Sequence, residues 1–172
     1  MDSYELLINR RSIRKYEDKK ISDELVTKLV ESGLSAPSAR NLQPYHFVVV
    51  RDRNKLDTLA DVRSPWKLLK GSNCAICVVA DVRNYDTVST DDMYIQDCSA
   101  ATENILLAAE ALGLGGCWLG LYPREEPVNA VSKILELPEK VIPITLISVG
   151  YPAEKREAHS DFDINKIHFE KF

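Results

Sequence analysis

The order of apolar patterns along the chain predicts an α+β protein, in which helices and strands mix without strict βαβ alternation. Three observations carry this expectation. Helical stripes recur from the first residues to about residue 135, with three apolar runs of strand length between them and a fourth after the last. A hydrophobic share of 45% is enough for a real core and argues against disorder. No internal repeat, low-complexity tract or linker divides the 172 residues, so one domain over 1–172 is expected.

Asp2 or Ser3 can cap a short helix over Ser3 to Asn9. Ser22 caps a second helix, with Leu25, Val26, Leu29 and Val30 on one face and Gly33 as its stop. Ser35 to Pro44 is a proline-bounded loop or helical turn, and Tyr45 to Arg51 is a strand. Ser64-Pro65 starts a further helix that ends at Gly71. Cys74 to Asp81 is the second strand. Asp91 to Leu112 is a long helix, capped by Asp91 and Asp92, with Ile95, Cys98, Ala101, Ile105, Ala108 and Ala109 as its apolar stripe. Such a stripe reads as core or subunit interface. Gly113 stops this helix, and Gly115 and Gly116 let the chain turn tightly. Cys117 to Leu121 is a short strand, and Glu125 to Leu135 a helix that tolerates Pro127 in its first turn. Ile142 to Val149 is the last strand, with Pro143 near its start. The remainder, Tyr151 to Phe172, is polar with scattered apolar residues.

Net charge is −4, which argues against general affinity for nucleic acid or an anionic membrane. A local basic patch can still hold a small anion. Met1 to Glu5 has no basic region leading into an apolar stretch, so no signal peptide is expected. No run approaches the roughly 18 apolar residues of a membrane span, and the expected location is the cytosol. Cysteines 74, 77, 98 and 117 are then reduced thiols. Cys74 and Cys77 have CxxC spacing, but side chains alternate along a strand, so the two point to opposite faces. That geometry suits neither zinc nor a disulfide switch.

Several catalytic patterns are absent. Gly113 to Gly116 follows a helix and precedes a strand, the reverse of a dinucleotide fingerprint. There is no GxxxxGK[ST] loop, HExxH or GxSxG. His46, His159 and His168 are too scattered for a metal site, and His46 reads as a hydrogen-bonded sheet residue. No carboxylate pair stands out as general acid and base. If the protein is an enzyme, a cofactor carries its chemistry.

Arg10, Arg11 and Arg14 place three guanidinium groups within five residues, around Ser12. Their planar forks suit a phosphate monoester, and a serine hydroxyl adds a compact donor. A solvated basic turn at the negative end of the first helix explains the same residues. Taken alone, the segment does not choose between the two.

Its context does. Arg10-Arg11-Ser12-Ile13-Arg14-Lys15-Tyr16 is followed by Ala36-Pro37-Ser38-Ala39-Arg40-Asn41-Leu42-Gln43-Pro44-Tyr45-His46-Phe47. Ala111 to Gly120, as ALGLGGCWLG, and Val149 to Glu154, as VGYPAE, come next in order. These four blocks span most of the chain, which resembles the FMN-dependent nitroreductase family. The resemblance implies a mixed or antiparallel sheet flanked by helices, in an intertwined homodimer with two sites at its interface. It implies FMN as cofactor, NADH or NADPH as reductant, and a small electron acceptor such as a nitroaromatic or quinone. Arg10, Arg11, Ser12 and Arg14 match residues that bind the phosphate, ribityl chain and pyrimidine edge. Pro37, Ser38, Ala39 and Asn41 match a segment that reaches the flavin from the partner subunit. Gly120 and Leu121 match a loop whose main-chain N–H can face N5. Residues 151–172 fit an arm packing on the partner.

The chain also departs from the family pattern. After Glu154, where a further Arg or Lys usually helps hold the phosphate, the positions in question are His159, Ser160 or Asp161. Lys155 and Arg156 are the candidate substitutes. Tyr45 and Phe172 stand where tryptophan is frequent, and the chain is short, so an insertion shaping the pocket is missing. Two other readings stay open. One is a flavoenzyme of the same fold that dehalogenates, reduces double bonds or fragments flavin. The other is a non-enzymatic module binding an anion or nucleic acid through the basic segment.

Overall fold

A computed structural model describes residues 2–83, 92–157 and 162–172. Its centre is a four-stranded antiparallel sheet: β1 (Tyr45–Val50), β2 (Cys74–Asp81), β3 (Gly115–Gly120) and β4 (Val141–Gly150), in the order β1-β2-β4-β3. The helices are α1 (Ser3–Asn9), α2 (Asp23–Leu34), α3 (Arg53–Val62), α4 (Met93–Ala111) and α5 (Glu125–Ile134). Short 3-10 turns cover Ala39–Asn41, Ser64–Lys70 and Ile164–Lys166. The α+β class is as expected.

The sheet separates two apolar cores. On one face Cys74, Ile76, Val78 and Ile147 pack with Val26 and Leu29 of α2 and Cys98, Ala101 and Ile105 of α4. On the other, Ala75, Cys77, Val79 and Leu146 pack with Leu56 and Leu59 of α3, Trp66, and Val131 of α5. The two CxxC sulfurs therefore lie in different cores. Burial pushes the Cys74 thiol up to about 12 and raises Cys77 further, as for inert buried thiols.

Local signals explain most elements. Asp2 forms a capping box with Glu5 at α1, and the Ser22 hydroxyl accepts the Leu25 N–H at α2. Gly113 ends α4 with a φ of 72°, a left-handed residue suited to glycine. Pro143 is accommodated in the central strand β4 at a register shift, where Val78 pairs with Thr145 but Val79 with Pro143.

Four expectations need correction. Gly33 does not stop α2, which runs on through Leu34. It is a close-approach residue: a Cβ there would stand 2.8 Å from the Phe47 ring and 3.0 Å from Ile105. Gly115 and Gly116 are the first residues of β3 rather than a turn. Asp92 holds the N-cap position of α4, but its side chain makes no capping hydrogen bond, and Asp91 lies outside the described residues. Finally, α3 was not anticipated. Asp52 caps it by accepting the Lys55 N–H at 2.8 Å, and Leu56, Leu59 and Ala60 anchor it in the second core. The segment from Ser64 is a 3-10 helix, ending before Gly71 as expected.

Candidate functional site

The basic segment leaves α1 and runs along the outer edge of β3. Ser12 bridges Gly116 in parallel register, and the Ile13 N–H donates to the Gly116 carbonyl at 2.9 Å. This approach requires a bare Gly115, since a Cβ there would stand 2.7 Å from Ile13. The chain leaving β4 then runs antiparallel to the same segment. Glu17 N–H donates to the Tyr151 carbonyl at 2.8 Å, and Ala153 N–H to the Lys15 carbonyl at 2.9 Å. Tyr16 fastens the two. Its hydroxyl donates to the Ile13 carbonyl at 2.6 Å and lies 2.6 Å from the Ser148 hydroxyl. Burial raises its phenol above the ordinary tyrosine value.

Lys155 and Arg156 thereby arrive beside the arginine segment. A cleft of about 310 Å³ opens there, lined in part by Arg11, Ile13, Glu110, Glu154, Lys155 and Arg156. The arginines differ in their ties. Arg11 donates to the Ile8 carbonyl at 3.0 Å, at the negative end of α1, and through Nε to the Glu157 carbonyl at 3.3 Å. Arg10 pairs with Glu103 of α4 at 3.1 Å. The exposed Arg14 guanidinium donates to the Ser12 carbonyl at 3.3 Å. Positive charge gathers around Ser12 and Cys117. Burial raises the Cys117 thiol, while Arg14, a hydrogen bond from Ser12, Arg156 and Arg10 oppose that rise. Glu154 is held below the usual carboxylate range, chiefly by the Arg14 main-chain N–H and with help from Arg156.

Of the residues expected to form a site, the structure brings together Arg10, Arg11, Ser12, Arg14, Lys155 and Arg156. It places Pro37, Ser38, Ala39 and Asn41 elsewhere. The Ala39 N–H donates at 2.9 Å to Asp97, a carboxylate 4% exposed near the start of α4. Glu103, the partner of Arg10, lies six residues further on, about 9 Å along the axis and roughly 240° around it. The two groups thus occupy different faces of α4. The turn itself is unusual, with Arg40, Asn41 and Gln43 at positive φ. Gly120 ends β3, about 13 Å from Gly116 along the strand. Leu121 is fully buried, main chain included, and its side chain belongs to the second core. His159, Ser160 and Asp161 lie outside the described residues.

Sequence reasoning missed Glu154, Glu103 and Asp97 as organising carboxylates. Asp97 carried a signal: it sits beside Cys98 and one turn from Ala101 on the inward face of a helix, where a charged residue needs a partner. Glu154 closes the VGYPAE block, but its clamping role had no local signal, because beside Arg156 its partners are main-chain groups 139 and 140 residues away.

The fold is thus an antiparallel sheet between two helical layers, with a cleft lined by Arg11, Lys155 and Arg156 together with Glu110 and Glu154 at its edge. The chain belongs to the nitroreductase family, whose model matches residues 7–64 and 62–151. A protein of Archaeoglobus fulgidus, provisionally named NADH dehydrogenase/NAD(P)H nitroreductase, is 44% identical over 97% of each chain. A Parabacteroides distasonis crystal structure with the same provisional name superposes with a TM-score of 0.92 at 37% identity, covering 98% of both chains. An FMN-dependent nitroreductase from Clostridium difficile superposes with a TM-score of 0.90 at 34% identity, over 98% of this chain and 99% of that one.

Proposed function

We propose that the protein is an FMN-dependent oxidoreductase that passes electrons from NADH or NADPH to a small acceptor such as a nitroaromatic or a quinone. The carrying observation is the gathering of Arg10, Arg14 and Arg156 around Ser12 and Cys117, with Arg156 also lining the Arg11–Lys155 cleft. These donors fit the anionic end of FMN: guanidinium forks, an ammonium and a hydroxyl. The names of the relatives agree on the nucleotide reductant and, for one, on the flavin.

FMN, when bound, supplies the electron transfer. Arg14, Arg156 and Lys155 hold the phosphate. Arg10, oriented by Glu103, sets a cation where the flavin's pyrimidine edge is expected and favours charge developing there. Ser12 contributes a hydroxyl. Gly120 stands at the other end of β3 and would leave room there for a flat ring, while the buried Leu121 would support that end from the core.

The second half of the site comes from a second copy. The turn Pro37–Asn41 is pinned by Asp97 away from the arginines, so it closes a neighbour's cleft rather than its own. The surface supports dimerisation. Tyr4, Leu7 and Ile8 of α1 are exposed on one helical face, and no residue of α1 is fully buried within the chain. Phe162, Ile164, Ile167, Phe169 and Phe172 are exposed in the 151–172 arm, which we assign to packing on the partner. Sedimentation should give about twice the mass of the 19.4 kDa chain; a monomer at all concentrations overturns the shared site.

The experiment for the function is the visible spectrum. The purified protein should be yellow, and anaerobic NADH or NADPH should bleach it. A nitroaromatic or quinone should then restore the colour. A colourless protein that refuses added FMN overturns the reading.

A further inference from the structure

We propose that Glu154 is the positioning residue of the phosphate grip: its carboxylate clamps the Arg10–Arg14 segment to the Lys155–Arg156 segment, so that one anion meets both. This rests on the FMN reading above. The Glu154 side chain is 17% exposed and stands in the wall of the 310 Å³ cleft. Its Oε1 accepts the Arg14 N–H at 2.6 Å and the Lys15 N–H at 3.2 Å. Its Oε2 faces the Arg156 guanidinium at 3.4 Å. Two successive main-chain donors on one oxygen fix the backbone that carries Arg14, and the second oxygen orients Arg156, which lines the same cleft.

A bare carboxylate is an odd lining for an anion site. Through space it repels a phosphate, and removing it should tighten binding if charge alone mattered. The hydrogen bonds argue the other way. Without Glu154, two main-chain donors lose a charged acceptor, and the two basic segments rely on the Tyr151–Ala153 ladder and the exposed Arg11–Glu157 bond. The Arg14 N–H and Arg156 hold Glu154 below the usual carboxylate range, so the clamp is ionised at neutral pH and persists somewhat further into acid than a free carboxylate would.

The test compares two ligands that differ only in the phosphate. FMN and riboflavin are titrated by fluorescence quenching into wild type, Glu154→Ala and Glu154→Gln, with thermal unfolding of each flavin-free protein measured alongside. Wild type should prefer FMN. Glu154→Ala should lose FMN affinity by about tenfold or more, with riboflavin affinity changed less than twofold (roughly, by the same scale). Glu154→Gln keeps a carbonyl acceptor for Arg14 and should recover part of the loss, and it carries the test should the alanine variant not fold. Unchanged or tighter FMN binding by a folded variant overturns the proposal, as does an equal loss for both ligands. A wild type that binds neither flavin overturns the FMN reading itself.

Discussion

Arg14→Ala should purify with little or no flavin. Arg10 and Arg11 are tied to Glu103 and to the Ile8 carbonyl, so each already has a structural task. Arg14 is exposed, and its guanidinium reaches the Ser12 carbonyl at a long 3.3 Å. It is therefore the arginine best placed to turn toward a phosphate. Removing a charge-assisted donor costs about 2–3 kcal/mol, roughly 30- to 150-fold in affinity. The fold should hardly notice, since an exposed side chain is lost and stability should move by about 0.5 kcal/mol or less. Equilibrium dialysis with FMN, together with a thermal melt, separates the two effects. Full FMN occupancy in the variant would remove Arg14 from the site.

Gly115→Ala should damage stability and site together. The added methyl would stand 2.7 Å from both Cβ and Cγ1 of Ile13, a contact with a stiff β-branched side chain. Ile13 cannot retreat easily, because its N–H is bonded to Gly116 at 2.9 Å and Ser12 pairs with the same residue. Overpacking of this kind costs about 1–3 kcal/mol. The strain relaxes by pushing the basic segment off β3, which carries Ser12 and Arg14 with it. A denaturant midpoint shifted down, with FMN bound more weakly in the folded fraction, is the expected outcome. Wild-type values for both would mean the segment is not held by this contact.

Much of this is legible in the sequence. Ser22 and the Leu25, Val26, Leu29, Val30 stripe place α2, and the Cys98, Ala101, Ile105, Ala109 stripe places the buried face of α4. These signals are local and repeat with the helical period. The misses are of a different kind. Helix α3 is thinly apolar, with Leu56, Leu59 and Ala60 among charged neighbours, so its burial depends on Trp66 and the second core. Gly33 and Gly115 have the same chemistry as any turn glycine. What distinguishes them is the ring of Phe47 and the side chain of Ile13 pressing on them, from residues distant in sequence. The site divides likewise. Three arginines in five residues are visible in a line of text. The carboxylates that arrange them, Glu103 and Glu154, come from the far side of the chain.

The pinning of Ala39 by Asp97, on a face of α4 turned away from Arg10, has a consequence for inheritance as well as for chemistry. Each polypeptide would be lender and borrower at once, giving its turn to one site and its arginines to another. Two defective alleles, one lacking Arg14 and one with the turn destroyed, would then not be equivalent to a double defect. In a mixed dimer both lesions fall on a single site and the other is assembled wholly from sound parts. Two inactive chains would together make a half-active enzyme.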